Sequence, residues 1–262
     1  MVEFRSAKLV FIFLFMATYA HATIKTDFYQ WPTKNRFKRS AIAAYKTKQF
    51  QIPFYAGIAS LVLFDGNLSK SIGDQNYIFG SSENAAHISD GLLLSLIPMM
   101  VYSSTQAELY RQTDQTDFGQ RSKLLAFQTI MVIADFSLIH AVKYSVQRDR
   151  PDSSDLLSFP SGHASASSGM SRMVYNNIEN SDIDDTTLGD TLQFSAIFLS
   201  SAVAYARVEA EKHHLSDILL GNAFGAYISD FLYKSFMEQH VDISTTLSMN
   251  AHAPYLRITY KF

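Results

Sequence analysis

The sequence predicts an all-α fold: a helical bundle of five to six core helices with a C-terminal β-hairpin. Three observations carry this. Uncharged runs cover 49–64, 91–107 and 191–206, with shorter ones over 124–134 and 218–229. Each is rich in Leu, Ala, Met and Phe and long enough for a helix. In 262 residues, Gly (11) and Pro (6) are too few for a fibrous or low-complexity chain, and 47% apolar is too many for a disordered one. The last 22 residues change period.

Taken in order, residues 1–22 read as a secretory signal. Arg5 and Lys8 precede an uncharged run from Leu9 to Ala20, and Ala20-His21-Ala22 supplies small residues around a cleavage point. The run is short of the ~20 residues a spanning helix needs. The mature chain is therefore expected to start near Thr23 and to be exported, to a periplasmic or envelope-membrane location. Residues 23–48 form a basic N-terminal arm, with Lys25, Lys34, Arg36, Lys38, Arg39, Lys46 and Lys48 against Asp27 alone. It reads as a solvated arm or as a contact for anionic lipid head groups. Residues 49–240 hold the helical domain. Polar connectors interrupt it at 112–122 and at 179–190, the second an acidic loop with Asp182, Asp184 and Asp185. None of the greasy segments is a clean apolar stretch of 18 residues, so their lengths fit core helices or poor spans. Residues 241–262 alternate apolar and polar on both sides of a turn at Asn250 to Pro254, which argues for a hairpin packed on the helices or on a partner.

Charge and cysteine usage exclude several functions. A net charge of −2 gives no electrostatic case for nucleic acid. The absence of cysteine removes disulfide scaffolds, thiolate metal sites and cysteine chemistry. Mean hydropathy is near zero, high for a soluble domain and low for a chain mostly buried in lipid.

Three clusters carry chemistry. Lys143 and Arg150 are seven residues apart, so a continuous helix would turn them the same way within about 20°. Pro151 is expected to end that helix near Arg150. Two cations at the end of a greasy helix need an anion or must snorkel to an interface. The second cluster, Phe159-Pro160-Ser161-Gly162-His163, looks like a helix start with Ser161 as cap. The free N–H groups there suit an anion, and His163 would sit beside it; an ordinary capped start with an incidental His remains open. In the third, Arg207 precedes His213 and Asp217. His213 and Asp217 at i and i+4 share a helix face, so the carboxylate can fix the imidazole tautomer or form a mere surface hydrogen bond. Arg207 joins them only if the polar stretch Val208 to Lys212 breaks the helix. His140 and His214 read as bystanders. The bland readings would need three independent coincidences to produce this order of cations, imidazoles and a helix N-terminus.

Together, Lys-x6-Arg-Pro, Pro-Ser-Gly-His and Arg-x5-His-x3-Asp resemble the type-2 phosphatidic acid phosphatase and vanadium haloperoxidase superfamily, over roughly residues 120 to 235. The resemblance implies an all-α core with the three motifs converging at one end. It implies His213 as nucleophile, Asp217 holding its ring, and His163 as acid to the leaving group and then base to water. Lys143, Arg150, Ser161, Gly162 and Arg207 would bind the phosphate. No metal and no other cofactor is implied for the phosphatase branch. Ala206 departs from the usual Ser of the third motif, and only eight residues separate Pro151 from Pro160, leaving little chain for a lid. The expected substrate is a phosphomonoester or pyrophosphate, lipid-linked by preference, and the membrane surface is the expected partner. A soluble acid phosphatase, a vanadate-dependent haloperoxidase, a phosphoryl transferase to another acceptor, and a non-catalytic envelope protein retaining the fold are the alternatives.

Overall fold

The computed structural model describes residues 32–63, 78–107, 118–237, 242–250 and 253–261. The expected signal over 1–22 lies outside them, as do the first part of the basic arm and most of the 112–122 connector. Among the described residues, every uncharged run lies in a helix except for Ala107, which follows the end of one. Among the described residues the helices are α1 (Lys34–Tyr45), α2 (Lys48–Leu63), α3 (Ser82–Gln106), α4 (Phe118–Val146), α5 (Gly162–Glu179), α6 (Thr187–Glu209) and α7 (Leu215–Phe236). These seven exceed the expected five to six because α1 forms inside the segment read as a solvated arm. Thr33 caps it, its hydroxyl accepting from the Arg36 N–H at 3.2 Å. Phe37 packs on Phe231 and Phe236 of α7, and Arg36 donates to the Lys234 carbonyl at 3.2 Å. An apolar stripe through Phe37, Ser40 and Ala44 docks the helix, while Lys34, Lys38 and Lys46 stay exposed.

Capping fixes the starts of α3 and α6 as well. The Ser81 hydroxyl accepts from the Asn84 N–H at 3.1 Å, and that of Thr186 from the Gly189 N–H at 3.1 Å. One core cluster joins five helices. Leu96 and Met100 of α3 meet Leu124 and Met131 of α4, Met170, Met173 and Ile178 of α5, Val203 of α6 and Tyr233 of α7.

Helix α5 is the axis of the bundle and packs on α3, α4, α6 and α7. Its closest neighbour is α7, and glycine permits the approach. A Cβ at Gly225 would stand 1.9 Å from the Ser165 carbonyl oxygen, and one at Gly221 would stand 2.6 Å from that of Ser161. Farther along, Arg172 donates to buried Asp230 through Nε at 2.9 Å, and Asn176 joins the pair. Charge in that interior is tolerated because it is matched. Beyond the bundle, the backbone runs as β1 (Asp242–Asn250) and β2 (Ala253–Lys261), antiparallel, with Leu247 opposite Leu256.

Candidate active site

The first motif divides between a helix and a loop. Helix α4 stops at Val146, four residues before the expected end, because Gln147 takes the left-handed conformation (φ 51°). Lys143 and Arg150 therefore do not share a helical face. Lys143 is buried in the last turn of α4 and donates through Nζ to the Leu157 carbonyl. A Cβ on Gly162 would lie 3.9 Å from its Cε, so Lys143 stands against the start of α5. Arg150 is on the loop, where its Nε donates to Asp155 Oδ1 at 2.7 Å and its backbone N–H to the Asp155 carbonyl at 3.1 Å.

The second motif opens α5. Ser161 is the cap, its hydroxyl accepting from the Ala164 N–H at 3.4 Å, and Pro160 stands one residue before it rather than in the first turn. A helix start leaves its first N–H groups without intrahelical partners, here those of Gly162 and His163. The Ser161 N–H donates to the Asp217 carbonyl at 3.0 Å, tying the starts of α5 and α7 together. His163 stands in the first turn, partly exposed, with Nε2 2.8 Å from Asp90 Oδ1.

The third motif breaks where expected. Helix α6 ends at Glu209, and Glu211 takes φ 54°. Arg207 is buried in the last turn, and its Nη1 donates to Ser89 Oγ of α3 at 3.2 Å. Its Nε is buried with no hydrogen-bond partner among the described residues. A buried guanidinium N–H left unpaired is costly, and it is the kind of donor an arriving anion satisfies.

His213 and Asp217 do not pair as the spacing predicts. His213 precedes the α7 cap, His214, so the two residues are not on one helix. Asp217 is fully buried, and its carboxylate is filled by other donors: Arg148 Nη1 at 2.6 Å, the Ser158 hydroxyl, and the His214 N–H at 2.9 Å. His213 Nδ1 instead lies 2.7 Å from the Ser158 carbonyl oxygen. A carbonyl only accepts, so Nδ1 carries the proton and Nε2 keeps the lone pair. Asp217 thus reaches His213 only at one remove, by holding the residue whose carbonyl holds the ring.

The loop between α4 and α5 is stitched to the one between α6 and α7. Ser158 N–H donates to the Arg148 carbonyl at 3.0 Å, Asp152 N–H donates to the Glu211 carbonyl at 3.2 Å, and Lys212 pairs with Asp152. These bonds gather the three motifs at one end of the bundle. The electrostatics report the same convergence. His213 is held well below the ordinary imidazole value of 6.5 by burial first, then by the charges of Arg207, Lys143, Arg150 and His163. His163 is lowered by burial and by Arg207, against the opposing pull of Asp90.

Sequence reasoning missed four residues: Ser89 and Asp90 on α3, and Arg148 and Ser158 beside known motifs. The one signal for Asp90 was its position, an isolated acid bordering the uncharged run 91–107.

The loops and helix ends at one end of an all-α bundle thus bring together the cationic and imidazole side chains of the three motifs. Residues 123–240, from within α4 through α7, match the PAP2 superfamily. This segment of the chain belongs to that superfamily. Among solved structures, the chain is similar to the "first transmembrane PAP2 type phosphatidylglycerolphosphate phosphatase from Bacillus subtilis", at 20% identity and a TM-score of 0.49, over 75% of this chain and 90% of that one. It matches no curated protein.

Proposed function

We propose that the chain is a phosphatase of the PAP2 superfamily, acting after export at an envelope membrane on phosphomonoesters or pyrophosphates carried by lipids. The observation that carries this reading is His213: a buried imidazole whose Nδ1–H donates to the Ser158 carbonyl, inside the combined field of Arg207, Lys143 and Arg150. Cations crowded around a neutral ring repel one another until an anion joins them, and a phosphate does so with its non-bridging oxygens.

In the proposed reaction His213 Nε2 attacks phosphorus in line, forming a P–N bond as the P–O bond to the leaving group breaks. His163 gives its proton to the departing oxygen. Water then attacks the phosphohistidine, passing a proton to His163, and inorganic phosphate leaves. Lys143, Arg150 and Arg207 bind the three non-bridging oxygens, with the N–H of Gly162 at the α5 start. Ser161 acts as the cap that builds that start, and Asp217 as the anchor of the Ser158 carbonyl.

Support for a lipid substrate comes from the outer surface. Helices α3 and α4 are long and apolar enough to cross a membrane, and only 28% and 44% of their most apolar stretches are buried in the bundle. Exposed apolar side chains continue on α2 (Ile52, Ile58, Val62) and on α6 (Phe194, Phe198). So broad an apolar exterior suits hydrocarbon rather than water.

The test is phosphoenzyme trapping with His213→Gln in detergent micelles. Wild type should form an acid-labile phosphoenzyme from phosphatidate or a polyprenyl pyrophosphate, and the variant should form none, with turnover down at least about a thousandfold. Retained turnover in the variant would refute the nucleophile. A higher kcat/KM for short water-soluble esters than for lipids would refute the lipid substrate.

A further inference from the structure

We propose that Asp90 is the positioning residue for His163: a carboxylate on α3, outside the PAP2 superfamily segment, that grips the ring at Nε2 and favours its charged form, so that Nδ1 can donate to the leaving group. The proposal rests on the phosphatase reading above. Its geometry is direct, with Asp90 Oδ1 2.8 Å from His163 Nε2. A carboxylate in an apolar helix is expensive unless it serves a partner, and between Asp90 and the end of α3 at Gln106 there is no other charge. The pair is partly accessible, with 28% of the His163 side chain and 42% of the Asp90 side chain exposed, so it stands at the mouth of the cradle.

The surroundings explain the need. His163 is faced by Arg207 from α6, Lys143 from the end of α4 and His213 from the loop before α7. Burial, then the charges of Arg207 and Lys143, oppose a second proton on its ring. Asp90 is the group that favours that proton. Asp90 is itself faced by Arg207 and by His87, one turn earlier on α3. With Nε2 bonded to a carboxylate, the proton lent to the leaving oxygen comes from Nδ1 as the P–O bond breaks. The neutral Nδ1 recovers a proton from the attacking water as the P–N bond breaks, so the cycle closes with no net change on His163.

The experiment compares Asp90→Asn with wild type on an aryl phosphate, whose leaving group needs no acid, and on an alkyl phosphate, whose leaving group does. The expected result is a loss of about tenfold or more in kcat for the alkyl ester, near-normal turnover of the aryl ester, and a basic limb of kcat/KM moved down by about one pH unit. Asp90→Glu should restore part of the loss. In a His163→Asn background, Asp90→Asn should add nothing further. Equal losses on both esters, an unmoved basic limb, or a lower KM at unchanged kcat would each overturn the proposal. The nucleophile role of His213 is tested separately, by its own variant and the trapped phosphoenzyme. Should Asp90→Asn melt early, Asp90→Ser gives the same comparison of leaving groups.

Discussion

At the residue scale, the proposed reaction depends on an unprotonated His213. Burial comes first and the neighbouring cations second in holding its pKa well below 6.5. In the proposed reaction the neutral imidazole is the nucleophile, so the acid limb of kcat/KM should fall below pH 6.5 instead of at it, which a pH–rate profile on a soluble aryl ester will read. The same shift has a stability consequence of fixed sign. An imidazole lowered in the folded state takes up its proton more readily when unfolded. Stability is therefore complete above pH 6.5 and declines as pH drops from there toward the folded value. Thermal midpoints between pH 7.5 and pH 5 should fall accordingly, and less so in His213→Gln. The ionisable residues of the cradle were legible in the sequence because their order and spacing are stringent. The bonding of Asp217 was not. Spacing proposes a partner for a carboxylate, but a carboxylate oxygen goes to whichever donors the loops deliver, and here Arg148 and Ser158 arrive first.

At the element scale, the site depends on how closely two helices approach. The α7 backbone touches α5 at Gly221 and Gly225, directly behind Ser161 and Ser165. Gly225→Ala would drive a methyl against the Ser165 carbonyl, which is backbone and cannot turn aside. The expected cost is about 1–3 kcal/mol or more of stability, measured by thermal unfolding, with loss of activity at temperatures where the fold survives because the α5 start is displaced. Gly91→Ala, with open space around it, is the matched control and should be neutral or slightly stabilising. The helices themselves were legible as uncharged runs, and the break after Glu209 as a polar interruption. Two features escaped. Helix α1 is hidden by its lysines and arginines, whose charge masks the short stripe of Phe37, Ser40 and Ala44 that docks it. Asp90 stands 73 residues before His163, and no local pattern ties an acid on one helix to an imidazole on another.

At the scale of the whole molecule, the segregation of surface decides how the protein is held in the cell. Apolar side chains are exposed along α2, α3, α4 and α6, while α1 carries exposed cations. A protein attached by charge alone leaves a membrane in high salt; one whose helices stand in hydrocarbon does not. The full chain should therefore remain with membranes through both a high-salt and an alkaline wash and be released by detergent. Release by salt would restrict the contact to α1.

Helix α6 joins these two roles in one rod. Phe198 is exposed on its outer side, and Arg207, nine residues on, reaches into the cradle, a rise of about 13 Å along the axis. Because a helix does not stretch, the depth at which the aromatic flank settles fixes the height of the guanidinium above the acyl chains. On the proposed reading the enzyme carries its own ruler, and a phosphate is cleaved only if its linkage to the lipid holds it at that level.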